Sequence, residues 1–286
     1  MQPLAGLLVV DLTRQLPGPY ASRELLRLGA RVIRVEGPEG EPMAAMAPAW
    51  HDALNVGKEA VTIDLKADLA AANALLAAAD VVLEGFRPGV ADRLGIVVPE
   101  GAVYCSITGF GAGDLRAGHD INYMGWAGAL ADTAPAVPPV QAADLAAGSL
   151  YAVTEILAAL IERTRTGLGA RIVVSMTHNA HRLVAHRVGG DPLPRLLTGG
   201  VACYAIYETA DARFLTVGAL EPKFWARLCE LLERPGLAER QWEQRLPELE
   251  QLFRTRSLAS WLELLDGEDV CVGPVATIEE AAALWS

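Results

Sequence analysis

The sequence predicts an α/β protein: a large domain on a mainly parallel sheet, then a smaller α+β domain. Three observations carry this. Short Val- and Ile-rich runs alternate with helical segments as far as residue 187. The stretch Gly189 to Pro194 is rich in Gly and Pro and breaks that alternation. Beyond it a hairpin signal and a run of helices take over, within a chain of 286 residues that has room for one large and one small domain.

Each element has its own signal. Leu7–Asp11 is a short apolar run and reads as the first strand. Tyr20–Leu28 has helical spacing and stops at Gly29, a C-cap residue. Arg31–Glu36 is a β-branched strand. Val61–Leu65 reads as another strand, followed by an Ala/Leu helix over Ala67–Ala79. Val81–Phe86 and Val103–Phe110 are further strands. Helices between successive strands imply crossover connections and parallel pairing. Helices over 120–130 and 144–165, the strand Arg171–Ser175 and a helix over 176–187 complete the large domain, assigned to residues 1–189. In the small domain, 190–286, Ala202–Thr209 and Arg213–Gly218 flank Ala210-Asp-Ala212 as a hairpin. Glu221–Leu232, Leu246–Arg256 and Leu258–Leu265 read as helices.

Composition narrows the function. Thirty-five acidic residues against 24 basic ones give a net charge of −11, which argues against a nucleic-acid binder. Local basic pockets for a phosphorylated ligand remain compatible with it. With 52% apolar and 21% charged residues the chain is not of disordered composition. Cys105, Cys203, Cys229 and Cys271 are scattered without a CxxC pair, which argues against a zinc ribbon or disulfide framework and fits a cytoplasmic location. The N-terminus lacks the basic region of a signal peptide. Leu145–Ile161, the most apolar stretch, is interrupted by Ser149, Thr154 and Glu155 and reads as a buried helix rather than a membrane span.

Several motifs are absent. The turn Leu12-Thr-Arg-Gln-Leu-Pro-Gly-Pro19 has no GxGxxG, and neither a P-loop nor a GxSxG elbow occurs. The glycines of Gly109-Phe-Gly-Ala-Gly113 permit close backbone approach to a ligand or simply a flexible loop. In Gly118-His-Asp-Ile-Asn-Tyr123 a helix begins at His119 or Asp120. A histidine there can move a proton beside free backbone N–H groups, while the plainer reading is an Asp120 N-cap. Asp144 precedes a very apolar helix rich in small residues; it is either a desolvated acid of raised pKa or an N-cap. Glu221 precedes Pro222 at a helix start, where Ser, Thr, Asp or Asn are preferred. His178, His181 and His186 share a predicted helix without HExxH or a partner ligand, so no metal site is expected.

Taken in order, these segments resemble the family III CoA-transferases, which include the α-methylacyl-CoA racemases. The resemblance runs from Pro3-Leu-Ala-Gly-Leu-Leu-Val-Val-Asp-Leu-Thr13 through Leu28-Gly-Ala-Arg-Val-Ile-Arg-Val-Glu36 and Ile63-Asp-Leu-Lys66. It continues in Glu84-Gly-Phe-Arg-Pro-Gly89, Ser106-Ile-Thr-Gly-Phe-Gly111 and Gly118-His-Asp-Ile-Asn-Tyr123, and ends with Ala143-Asp144 and Gly218-Ala-Leu-Glu-Pro-Lys-Phe224. It implies a Rossmann-like large domain, a small domain, an intertwined homodimer, an acyl-CoA substrate and no cofactor beyond the CoA moiety. Carried over by position, it implies that Ile63, Leu65, Lys66 and Arg87 hold CoA. Gly109 and Gly111 then lie near the thioester, and Gly118, Asp120, Asn122 and Tyr123 line the substrate.

The branch within the family sets the chemistry. In the racemase branch His119 and Asp144 exchange the α-proton on opposite faces of an enolate, and Glu221 hydrogen-bonds the histidine. In the transferase branch Asp144 is a nucleophile that relays CoA. A non-catalytic CoA-binding paralogue is the third reading. The intact GHDINY and GALEPKF segments favour the racemase. Two departures remove positive charge: Gly37 and Val56 stand where many members carry Arg. The chain also stops short of the usual family length, so the tail that normally returns to the large domain is expected to be missing.

Overall fold

The computed structural model describes residues 1–285. The chain divides into two compact units, residues 1–188 and 189 onward, one residue earlier than the sequence placed the boundary. In the first unit the elements run β1 (Leu8–Asp11), α1 (Pro17–Arg27), β2 (Arg31–Glu36), α2 (Pro42–Met46), α3 (Pro48–Asn55), β3 (Glu59–Thr62), α4 (Leu69–Leu76), β4 (Val81–Glu84), α5 (Val90–Leu94), β5 (Val103–Thr108) and α6 (Asp120–Trp126). A π-helical segment, Ala143–Leu150, runs on into α7 (Tyr151–Thr166), then β6 (Arg171–Ser175) and α8 (Met176–Val184).

The six strands lie in the order β3-β2-β1-β4-β5-β6, every pair parallel. This is a doubly wound, Rossmann-like sheet whose order reverses between β1 and β4. Central strands of such a sheet are covered on both faces, so they read as unbroken apolar runs. Val9, Val81 and Leu83 join the core shared with Leu25 of α1 and Ile156 of α7. Their neighbours Val10 and Val82 join a second core with Leu76 of α4.

The edge strand departs from expectation. β3 is Glu59–Thr62, not Val61–Leu65, because an exposed edge tolerates Glu59 and Ala60, while Ile63 and Leu65 lie past its end and pack against the second core. Helices α2 and α3, each started by a proline at the first helical positions, fill a span that the sequence left unassigned. The continuous helical stretch Ala143–Thr166 is long and apolar enough to cross a membrane by composition. Here it buries Ala143, Ala147, Ala152 and Ile156 in the first core.

The second unit contains the antiparallel sheet β7 (Tyr204–Glu208), β8 (Phe214–Gly218) and β9 (Val272–Pro274), with α9 (Pro222–Leu231), α10 (Pro247–Phe253), α11 (Leu258–Leu264) and α12 (Ile278–Trp285). Tyr207, Trp225, Phe253 and Trp261 form the centre of its core. The buried indoles are satisfied: Trp225 Nε1 donates to the Leu237 carbonyl at 2.9 Å and Trp261 Nε1 to that of Phe253 at 2.8 Å. Neither β9 nor α12 was read from the sequence.

Gly18, in the first turn of α1, packs so tightly on the β1–α1 turn that an added Cβ would lie 2.0 Å from Thr13 Oγ1. Gly18→Ala is expected to lower stability in urea titration by roughly 1–3 kcal/mol or more. Gly236→Ala, where a Cβ meets nothing within 4 Å, is the control and should change stability far less.

Candidate active site

The carboxyl ends of parallel strands, beside the point where strand order reverses, are where open α/β sheets bind ligands. Two cavities open there. One of about 550 Å3 is lined by Pro17, Arg87, Gly109, Gly118, His119 and Tyr123, among others. The second, of about 630 Å3, is lined by Gly37, Ile63, Leu65 and Lys66, with others. Both take one wall from Thr13, Arg14 and Gln15 after β1 and from Gly85 and Phe86 after β4.

Close packing builds the first cavity's rim. The Tyr123 ring is wedged between two glycines: a Cβ on Gly109 would lie 2.6 Å from it and one on Gly118 2.8 Å. The Tyr123 hydroxyl donates to the Gly118 carbonyl, which closes the loop 109–118 onto α6. Burial first, then the carboxylates of Asp144 and Asp120, push the Tyr123 phenol up. The Arg116 guanidinium is stacked over Phe110 at 4.1 Å and Trp126 at 4.5 Å and paired with Asp114, which fixes the loop from outside. Gly111 adopts φ +104°, and its N–H donates to Thr108 Oγ1 at 2.9 Å.

His119 is the N-cap residue of α6, and Asp120 is its first helical residue, so the Asp120 N-cap reading is corrected. The Asn122 side chain accepts from the His119 N–H at 3.1 Å, which holds the histidine backbone while its side chain stays exposed at the cavity wall. The first N–H groups of α6, those of Asp120 and Ile121, have no partner among the described residues.

Asp144 is not the cap of its helix either; it lies inside the first turn of the π segment. Such segments put an extra residue into the turn and are frequent at functional sites. Small residues permit this here: a Cβ on Gly148 would lie 3.0 Å from Met176 Cγ of α8. Ser149 Oγ donates to the Asp144 carbonyl at 2.9 Å and to that of Pro17 at 2.6 Å, tying the segment to α1. The Asp144 N–H donates to Asp120 Oδ1 at 2.9 Å, so Asp144 and His119 flank one residue. Burial, reinforced by the Asp120 charge, pushes the Asp144 carboxyl up to about 7.

The other sequence candidates separate. Lys66 and Arg87 do not share a cavity: Lys66 lines the second and Arg87 the first. Asp120, Asp144 and Gly111 are not among the residues that line the first cavity. Glu221 belongs to the second unit, at the N-cap of α9 with no side-chain capping bond. Sequence reading missed Arg14, a single arginine without distinctive spacing. It also missed the cluster of Glu36, Glu41 and His51, whose ligand atoms lie within 4.8 Å of one another. A cation already serves that cluster: Arg34 is paired with Glu36, and its Nη1 is 3.3 Å from His51 Nε2. His181 of α8 lies with Nδ1 3.1 Å from the Ala127 carbonyl, a packing role.

The model of CoA-transferase family III matches residues 4–284, and the chain belongs to that family. It is 34% identical to the alpha-methylacyl-CoA racemase of Mus musculus, over 97% of this chain and 79% of the relative. It is 32% identical to the acetyl-CoA:oxalate CoA-transferase of Acetobacter aceti, over 99% of this chain and 83% of that one. Among solved structures it is similar to the hypothetical protein Rv3272 from Mycobacterium tuberculosis, with a TM-score of 0.82 and 30% identity, covering 99% of this chain and 86% of that chain. Racemases and transferases stand at similar identity, so the reaction has to be argued from the site.

The raised Asp144 has a measurable consequence for stability. Its folded pKa lies above the unfolded one, so its contribution is intact below about pH 4, declines as pH rises and is fully lost above about pH 7. Asp144→Asn removes this penalty. Urea titrations should show the variant more stable than the wild type at pH 8, by roughly 2–4 kcal/mol, with the gap closing towards pH 4.

Proposed function

We propose that the chain epimerises 2-methylacyl-CoA thioesters at C2, in the manner of an α-methylacyl-CoA racemase. The observation that supports this reading is that Asp120 links the two candidates: it follows His119, which lines the first cavity, and it accepts the N–H of Asp144, whose carboxyl is pushed up to about 7. A group exchanges protons best when its pKa lies near the working pH, and Asp144 meets that condition.

In one direction neutral His119 takes the α-proton, and the C2–H electron pair moves into the thioester to give an enolate. Protonated Asp144 then delivers its proton to the opposite face of C2. The reverse direction exchanges the two roles. The unpartnered N–H groups of Asp120 and Ile121 are the donors for the enolate oxygen. A homodimer is part of the reading: Trp126 and Leu150, 68% and 45% exposed beside these elements, are apolar surface for a second copy to cover.

CoA transfer through an aspartyl intermediate on Asp144 is the second reading, and the similarity to the Acetobacter aceti transferase favours it. A nucleophilic carboxylate gains from staying ionised, whereas Asp144 is pushed towards its neutral form. That difference places the racemase reading first.

Incubation with 2-methylacyl-CoA in heavy water separates the two. Deuterium should appear at C2 in the presence of the wild type. It should fall by at least about a hundredfold with His119→Ala, the scale of a lost general acid–base. A mass increment on Asp144, with no C2 exchange, would instead establish the transferase.

A further inference from the structure

Two cavities with one common wall suit a ligand in two parts, and the wall carries a single cation. Among the described residues Arg14 is the one Lys or Arg that lines both: of these two cavities, Arg87 and Arg116 line the first and Lys66 the second. Arg116 is neutralised by Asp114, whereas Arg14 has no hydrogen bond or ion pair among the described residues, and its side chain is exposed. Its backbone is nonetheless held on both sides. The Thr13 N–H donates to Asp11 Oδ1 at 2.8 Å, and the Gln15 N–H to Glu41 Oε1 at 2.6 Å. Gln15 adopts φ +68°, a conformation unusual for a residue other than glycine, directly after Arg14.

Gly37, after β2, leaves the space that Arg14 uses: a Cβ on Gly37 would lie 3.3 Å from Arg14 Nη2. A side chain at 37 would therefore compete with the Arg14 guanidinium for the same volume of the second cavity.

We propose that Arg14 grips the diphosphate of the CoA moiety where it crosses from one cavity to the other, occupying the place that Gly37 leaves open. The inference rests on the reading of the ligand as a CoA thioester. With the thioester beside His119 and the nucleotide beside Lys66, the diphosphate passes the wall between them. A planar guanidinium without a carboxylate partner is the group that pairs with two phosphate oxygens at once.

The test is calorimetric titration of the full chain with CoA, and with millimolar pantetheine as the fragment lacking phosphates. Arg14→Ala should weaken CoA binding roughly tenfold to hundredfold, the scale of a charge-assisted contact, while pantetheine binding stays within about twofold. In the double variant R14A/G37R the obstruction is gone, a guanidinium enters from the other side of the same volume, and most of the CoA affinity should return. Unchanged CoA affinity in R14A, or equal losses for CoA and pantetheine, overturns the assignment of Arg14. Failure of the double variant to regain affinity, with an unchanged melting temperature, overturns the shared-volume argument. Failure of the wild type to bind CoA at all overturns the ligand reading beneath both.

Discussion

Asp11 ends β1 with its carboxylate 1% exposed, at the point where the chain must leave the sheet and turn into α1. A carboxylate taken out of water has to be met by donors and by charge. The turn supplies them: the Thr13 N–H and hydroxyl and the Ser22 hydroxyl donate to it. Lys58 Nζ lies 4.0 Å away with its side chain fully buried. Lys58 is met in turn by the Pro19 carbonyl at 2.8 Å and Asn55 Oδ1 at 2.9 Å, and burial lowers its pKa to about 8. One network thus ties β1, α1 and α3 together, and the geometry of residues 13–15 follows from it. Both cavities take their common wall from those residues, so a loosened Asp11 would deform both at once.

The other constrained region is the π segment, where stability and proton chemistry pull in opposite directions. Burial and the neighbouring Asp120 make ionised Asp144 costly in the folded state. The segment holds its position because Ala143, Ala147, Gly148 and Ser149 are buried around it and the Ser149 hydroxyl bridges to α1. Their small size lets α8 approach, and the same small size offers little apolar area to offset the carboxyl. A site of this kind relies on the large core beyond it, from Ala152 to Leu160 along α7, for its support.

How much of this is legible in the sequence depends on what each signal measures. The bounds of β2 and β6 emerge from β-branched runs alone, Arg31–Glu36 and Arg171–Ser175. β3 is displaced in the reading because apolar periodicity marks buried residues, and an edge strand keeps few of them. Helices α2 and α12 bury no side chain fully, so no apolar stripe announces them. At the site, Gly118, His119, Asn122 and Tyr123 come together because they lie on one short stretch of chain at one helix start. Lys66 and Arg87 separate because they follow β3 and β4, and the sheet inserts β2 and β1 between those strands. The π-helical turn at Asp144 has no sequence signature beyond its small residues, and an N-cap was the simpler inference from the same letters.

Net charge is a poor guide to such a site, and pairing is a better one. The chain carries −11 overall, yet several acids near the carboxyl ends of the strands already have partners. Glu36 is paired with Arg34 and Asp114 with Arg116, and Glu41 accepts the Gln15 N–H. Asp64 accepts the backbone N–H of Lys66 at 2.9 Å. Among the described residues Arg14, Lys66 and Arg87 have no carboxylate partner, with Arg14 on the common wall, Arg87 on the first cavity and Lys66 on the second. On the proposed reading, a long polyanion with an uncharged reactive end meets cations along its length in that arrangement. On that reading selectivity follows the spacing of unpaired charges along the cleft, which the total composition does not record.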